Sequence, residues 1–169
     1  MGVTISGMTG RGSIRHNNRT FSAANIDRSR TAQNVTFCRE DLKQVYHLVF
    51  DEALAAYNAK KKKTRDKIPD YYEHIRQGKQ EKLFHEVIFQ IGNKDDCGCG
   101  TLDGDRAAAV LKEFAESFQE RNPHLRVFNA VLHMDEATPH IHIDFVPVAT
   151  EQTRGLQTRV SMKQALKQQ

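Results

Sequence analysis

The stretch Ala130-Val-Leu-His-Met-Asp-Glu-Ala-Thr-Pro-His-Ile-His-Ile-Asp-Phe-Val-Pro147 decides how this chain is read. It sets His133, His140 and His142, with the acids Asp135, Glu136 and Asp144, between two runs of strand-forming residues. Residues two apart in a strand project from one face, so His140 and His142, separated only by Ile141, point the same way. Leu132-His133 closes the preceding apolar run. Residues 135–139 are long enough for a hairpin connection that brings His133 back opposite His140. Three imidazoles then converge, with Glu136 on the connecting loop. Imidazole nitrogens, an optional carboxylate and an open coordination position suit a divalent ion acting as a Lewis acid: Mn²⁺ or Mg²⁺ first, Zn²⁺ or Co²⁺ as further options. One strand histidine is usually a packed or surface residue, but three with a glutamate within ten residues read as a metal site. Asp144 shares the strand face of His140 and His142 and is expected to accept a hydrogen bond from a ligand imidazole. Asp135 is a lesser candidate.

Working outward, 169 residues form one domain with room for a core. No apolar run is long enough to span a membrane, and residues 1–12 lack the apolar centre of a signal peptide, so a cytoplasmic protein is expected. The net charge of +4 and the pI near 9.0 lean toward a polyanionic partner. Distribution says more than the total. Five arginines between Arg11 and Arg30 face the single acid Asp27, and Lys60 to Lys63 form a second basic run. The three cysteines, Cys38, Cys97 and Cys99, are an odd set that makes no disulfide framework. Cys97-Gly-Cys99-Gly100 lacks a second Cys or His pair and reads as a loop with incidental thiols.

Along the chain, Val3, Ile5 and Met8 alternate between Gly2, Gly7 and Gly10 as a terminal or edge strand. The polar stretch from Arg11 through Asn34 follows, rich in arginine, hydroxyl and amide groups, the chemistry of phosphate contacts. Residues 39–59 carry an imperfect helical face (Leu42, Val45, Leu48, Val49, Leu54). Residues 70–78 hold a short helix capped by Asp70, in which Tyr71 and Tyr72 are candidate hydroxyl nucleophiles. Residues 82–91 read as a strand, 95–104 as a Gly/Asp/Cys loop and 105–121 as the clearest helix, stopped by Asn122-Pro123. The hairpin strands are 125–132 and 141–148, and residues 160–169 begin a last helix. The fold class is therefore α+β, an antiparallel sheet with helices packed mainly on one side and the metal site on a central hairpin.

A metal hairpin joined to an arginine-rich loop points to phosphate chemistry on a polyanion, in which the ion stabilises charge on phosphodiester oxygens. Attack by water would make a nuclease, whereas attack by a side chain would conserve the bond energy for rejoining. His16 is a credible nucleophile because a neutral imidazole is available near pH 7. Arg15, Arg28 and Arg30 are expected to contact the DNA backbone.

Three ordered motifs, His16-Asn-Asn-Arg19, Asn25-Ile-Asp-Arg-Ser-Arg30 and His133-Met-Asp-Glu-Ala-Thr-Pro-His-Ile-His142, together resemble the MobV-type relaxases, the Mob/Pre mobilisation enzymes of the His-hydrophobe-His endonuclease superfamily. The resemblance implies a site- and strand-specific nickase that cuts and rejoins single-stranded or supercoiled DNA at an origin of transfer. It implies that His16 is the nucleophile, with Arg19 beside it and Asn17 of the same motif among the DNA-binding residues. It also implies that His133, His140 and His142 hold the metal, and that Glu136 is either a further ligand or the base for His16. Members of the family usually extend past the equivalent of Gln169 into oligomerising helices, so residues 1–169 read as the N-terminal relaxase domain of a longer protein that can be a homo-oligomer. Two other readings stand beside it. One is a tyrosine-dependent rolling-circle replication initiator; the other is a non-catalytic DNA-binding module stabilised by metal.

Overall fold

The computed structural model describes residues 3–21 and 23–169; Gly2, expected to break the terminal strand, lies outside them. In chain order the elements are β1 (Ile5–Thr9), α1 (Ile14–Asn17), β2 (Val35–Arg39), α2 (Leu42–Ala59), α3 (Tyr71–Gln77), β3 (His85–Ile91), α4 (Leu102–Glu116), α5 (Phe118–Arg121), β4 (Leu125–His133), β5 (His140–Ala149), β6 (Arg159–Val160) and α6 (Met162–Lys167). The strands form an antiparallel sheet in the order β1-β3-β5-β4-β2, with β6 on the far end of β5. The hairpin β4-β5 is thus central, as its apolar runs require: a strand buried on both faces reads apolar with few interruptions.

Period two assigns the faces. Ile141, Ile143 and Phe145 of β5, with Val87, Phe89 and Ile91 of β3, pack beneath α4, α5 and α6. The even positions of β5 turn the other way. There Val146 joins Phe128 and the apolar sides of α2 and α3 in a second cluster, while His140, His142 and Asp144 continue along the same face beyond those helices. A bulge at Phe128 makes this division possible, because Asn129 pairs with Asp144 after Val127 has paired with Phe145. The extra residue moves Phe128 to the face of Val146 and reverses the phase of the strand, as bulges do. Leu125 and Val127 therefore share a core with Ala130 and Leu132.

Helices α4, α5 and α6 cover one face of the sheet and α2 and α3 the other, where helices mainly on one side were expected. Several elements also differ from the expectation, among them α1 within the stretch read as a basic loop and the break between α4 and α5. Residues 35–39 form a fifth main-sheet strand, and the helix expected from residue 39 begins at Leu42, where the Asp41 side chain accepts from the Gln44 N–H at 3.0 Å. Five residues between a polar loop and a helix carry too little alternation to declare a strand; the open edge of β4 makes them one. Helix α4 starts inside the expected Gly/Asp/Cys loop because Thr101 caps it, accepting from the Gly104 N–H at 3.0 Å. Only glycine fits at position 104, since a Cβ would lie 2.1 Å from the Gly98 carbonyl oxygen. That contact packs the 93–100 loop against the start of α4, and the Cys99 N–H, donating to the Ala137 carbonyl at 3.0 Å, ties the same loop to the hairpin turn. Cys97 is buried and Cys99 half-buried, and both are free thiols. At the other end of the chain, residues 159–160 pair with β5 before α6 begins.

Candidate metal centre and active site

His133 and His140 face each other across the closing pair of the hairpin, and His142 pairs with Val131 one step further in. All three are buried, with ring centroids 4.7 to 5.2 Å apart. Each imidazole has one nitrogen committed to an acceptor. His133 Nε2 donates to the Asn17 carbonyl at 2.8 Å, His140 Nδ1 to the Thr138 carbonyl at 2.8 Å, and His142 Nδ1 to Glu86 Oε1 at 2.6 Å. A carbonyl can only accept, so the tautomers follow. The bare nitrogens are His133 Nδ1, His140 Nε2 and His142 Nε2.

Those lone pairs fit a cation. His133 Nδ1 and His140 Nε2 lie 3.4 Å apart with no proton between them. That is the separation of two imidazole ligands about 2.1 Å from one tetrahedral ion. His142 Nε2 is buried without a hydrogen-bond partner, a costly state unless another group takes the lone pair. Two overlapping sets bring one ligand atom per residue within 4.8 Å of one another: His16, His133 and His142, and His133, Glu136 and His140. Burial, against the hydrogen bond to the Asn17 carbonyl, pushes the His133 imidazole down to about 2, and burial likewise lowers His140 against its bond to the Thr138 carbonyl. Both are neutral at physiological pH, as metal ligands must be.

Glu86 is the residue that sequence reasoning missed. Burial opposes its ionisation, but hydrogen bonds from His142, the Gly12 N–H and Asn17 outweigh that and hold the carboxyl below its ordinary value. Its Oε2 accepts from the Gly12 N–H at 2.7 Å and its Oε1 from Asn17 Nδ2 at 2.7 Å. The close approach needs glycine: a Cβ at position 10 would lie 1.9 Å from Glu86 Oε2, and Gly12 takes φ +70°. The signal was there to read, because Glu86 is the acid on the face of β3 opposite Val87, Phe89 and Ile91. Asp144, expected to orient an imidazole, instead accepts from Asn17 at 3.0 Å and Asn129 at 2.8 Å; Glu86 does that work from the neighbouring strand. Replacing Glu86 by glutamine puts an amide where His142, Gly12 and Asn17 all need an acceptor. Titration calorimetry should show divalent-ion affinity about 10- to 100-fold weaker; equal affinity would make Glu86 a structural bolt only.

The short helix α1 delivers His16 to the rim of the cluster. Its ring centroid is 5.8 Å from His133 and 5.9 Å from His142, with a quarter of the side chain exposed. His16 Nε2 lies 3.3 Å from Glu136 Oε1 and 3.3 Å from the Arg19 guanidinium. Burial and then the Arg19 charge lower the His16 pKa, against the pull of Glu136. Glu136 Oε1 is also 3.8 Å from His133 Nδ1 and 4.0 Å from His140 Nε2, and its Oε2 accepts from Asn25 Nδ2 at 2.9 Å. Glu136 therefore stands between His16 and the histidine cluster.

Asn17 was expected to contact DNA, and the structure corrects this. It is 1 % exposed, its amide donates to Glu86 and Asp144, and its carbonyl receives His133. It pegs α1 to the cluster. Arg19 adopts φ 53°, the left-handed region that side chains rarely occupy. It is held there by a bidentate pair with the buried Asp135 (2.5 and 2.9 Å) and a bond to Glu136 at 2.8 Å. Thr31 and Asn34 complete the shell of Asp135 at 2.9 and 2.8 Å. Burial opposes the ionisation of that carboxyl, but Arg19, Asn34 and Thr31 hold it well below the usual carboxylate range. Arg30 spans two loops, donating to the Cys99 and Glu136 carbonyls at 3.1 Å each, so its first task is bracing. Arg15 and Arg28 are exposed. Tyr71 lies in the second apolar cluster, where its hydroxyl accepts from the Val160 N–H at 3.1 Å, and Tyr72 packs edge-on against Tyr46.

A closed structural metal site spends four protein ligands and admits nothing further. This cluster instead keeps a polar mouth at His16 and Glu136, the layout of a metal-dependent enzyme carried on an α+β domain. The chain belongs to the plasmid recombination enzyme (Mob/Pre) family, which matches residues 21–169, a span that begins just after His16 and Arg19. Among solved structures it is similar to the manganese-bound MobM relaxase domain in complex with plasmid oriT DNA. At pH 5.5 that structure is 23% identical, with a TM-score of 0.46 over 95% of this chain and 74% of MobM. At pH 4.6 it is 22% identical, with a TM-score of 0.48 over 95% and 75%. No curated protein is similar enough to count as a match. Among the described residues no helix is long and apolar enough to cross a membrane.

Proposed function

We propose that residues 1–169 act in the cytoplasm as a relaxase domain, nicking and rejoining one DNA strand at an origin of transfer through a covalent histidine–DNA intermediate. One observation carries this reading. The chain folds so that His16, more than a hundred residues from the hairpin, stands with its Nε2 3.3 Å from Glu136 at the mouth of a three-imidazole cluster. His133, His140 and His142 would hold the ion, Mn²⁺ or Mg²⁺, which when bound supplies Lewis-acid stabilisation of the charge on the non-bridging phosphate oxygens.

The chain's own residues do the rest. A His16 ring nitrogen attacks phosphorus, an N–P bond forms and the P–O bond to the 3′ oxygen breaks. The products are a phosphoramidate on the 5′ phosphate and a 3′ hydroxyl, whose proton comes from solvent. The ring proton of His16 passes to Glu136. Arg19 fixes the end of α1 by donating to the His16 carbonyl at 3.0 Å, and its charge favours the neutral, nucleophilic ring. Return of the 3′ hydroxyl onto phosphorus reverses each step and reseals the strand.

The chemistry of the adduct is the test. Incubated with Mn²⁺ and a supercoiled plasmid carrying the cognate origin, the protein should yield relaxed circles with protein on the 5′ end. Denatured and brought to mild acid, the adduct should fall apart, since an N–P bond is acid-labile and a phosphotyrosine is not. An adduct that survives acid would overturn the assignment of His16.

A further inference from the structure

Asn17, the last residue of α1 and the neighbour of His16 in sequence, is held by two carboxylates. Its Nδ2 donates to Glu86 Oε1 at 2.7 Å and to Asp144 Oδ2 at 3.0 Å. Asp144 Oδ2 also accepts from Asn129 Nδ2 at 2.8 Å. Asn17, Asn129 and Asp144 are each no more than 1 % exposed, so bulk water does not compete for these bonds, and a satisfied buried network is rigid. The arrangement depends on the bulge in β4. In the register that pairs Val127 with Phe145, Phe128 would stand opposite Asp144; the extra residue puts Asn129 there instead. Glu86 stands opposite Asp144 from the other neighbouring strand. A row of Glu86, Asp144 and Asn129 therefore crosses three strands, and α1 is seated on it through one side chain.

We propose that Asp144 and Asn129 are positioning residues for the His16 nucleophile: acting through Asn17, they fix α1 on the sheet and keep the His16 ring at the mouth of the histidine cluster. Neither touches the reacting atoms. A single hydrogen bond would let the Asn17 amide pivot about Glu86; the bond to Asp144 removes that freedom, and Asn129 in turn fixes the Asp144 carboxylate. The Asn17 carbonyl receives the His133 Nε2 proton at 2.8 Å, so the same residue sets α1 against the histidine that it faces. Asp144 works by its shape more than by its charge. One oxygen serves both amides, while its Oδ1 is buried without a hydrogen-bond partner. An amide at position 144 can keep one oxygen for both donors and turn its NH₂ to the side on which Oδ1 accepts nothing. The proposal rests on His16 as the nucleophile of the nicking reading, yet the placement of α1 can be measured without cleavage.

Carbethoxylation of His16 by diethylpyrocarbonate, followed by peptide mass spectrometry, reads the access to its ring, with the exposed His47 as internal reference. In D144A, His16 should react several-fold faster than in the wild type, and N129A should lie between the two. The kcat for plasmid nicking should fall about 10- to 100-fold in D144A, the cost of a displacement of about 1 Å or less at a reacting group, with KM within a few-fold. D144N should restore both readouts toward the wild type. Circular dichroism checks the fold; should D144A fail to fold, N129A, in which Asp144 keeps Asn17, carries the same comparison. Unchanged His16 reactivity in the folded variants overturns the positioning role, and if the wild-type protein nicks normally the nicking reading survives that result. D144N as impaired as D144A overturns it too, because the carboxylate would then act by its charge. Faster carbethoxylation in a protein that never nicks supports the seating of α1 by Asp144 and removes the nicking reading instead.

Discussion

Replacing His16 by alanine should abolish the covalent protein–DNA adduct and lower nicking of supercoiled plasmid by about 10⁴-fold or more, the scale on which removal of a catalytic nucleophile registers. Divalent-ion binding and single-strand binding should stay within a few-fold of the wild type. The contrast follows from geometry. The bare nitrogens of His133, His140 and His142 are directed by Asn17, Thr138 and Glu86, none of which involves the His16 ring. The Asn17 carbonyl and amide, which hold α1 in place, remain in the variant. Gel mobility and phenol partitioning of the nicked plasmid read the adduct, and calorimetry reads the ion. If the alanine variant still becomes attached to the 5′ end, another side chain is the nucleophile. If ion affinity falls as far as nicking does, His16 is a ligand of the ion, as its place in one of the two histidine sets would allow.

The second large effect concerns folding. Asp135→Ala should destabilise the chain by about 3 kcal/mol, the lower end of what removing one partner of a buried ion pair costs. The Arg19 guanidinium would keep only Glu136 as a counter-charge. At this chain length that is a fall in Tm on the order of 10 °C. Thr31 and Asn34 lose their acceptor at the same time. Arg19, no longer clamped, should leave its left-handed backbone, a conformation that costs about 1–3 kcal/mol, and carry the end of α1 with it. Thermal melts of Asp135→Ala, Arg19→Ala and the double variant form the decisive cycle. The double variant should be more stable than the sum of the two losses, because it leaves neither charge unpaired. Strict additivity would mean that Arg19 and Asp135 act separately.

The sequence by itself determined the centre of this protein. Three histidines, one hydrophobic residue between the last two and a short polar connection specify a hairpin with imidazoles on one face, because strand periodicity and hairpin closure are local rules. The helices at 39–59, 70–78, 105–121 and 160–169 and the antiparallel character of the sheet were legible in the same way, apart from end residues, the short helix α1, the break between α4 and α5, and the strands at 35–39 and 159–160. Local rules also placed Glu136 at the turn. They could not say which distant groups complete the site. Glu86 looked like one more strand acid, Asp144 like the partner of an imidazole and Asn17 like a DNA contact. Registry across β3 and β5 sets Glu86 opposite Asp144 and within reach of His142, and only that registry moved the orienting role from one acid to the other. Likewise the arginines from Arg11 to Arg30 read as one basic loop. In the folded chain they separate into a buried clamp at Arg19, a brace at Arg30 and exposed cations at Arg11, Arg15 and Arg28. The physical reason is that periodicity tells a residue which way to face but not what it will meet, and here the meeting of α1 with the β3-β5-β4 face decides which charges are buried, which are paired and which are left for a ligand.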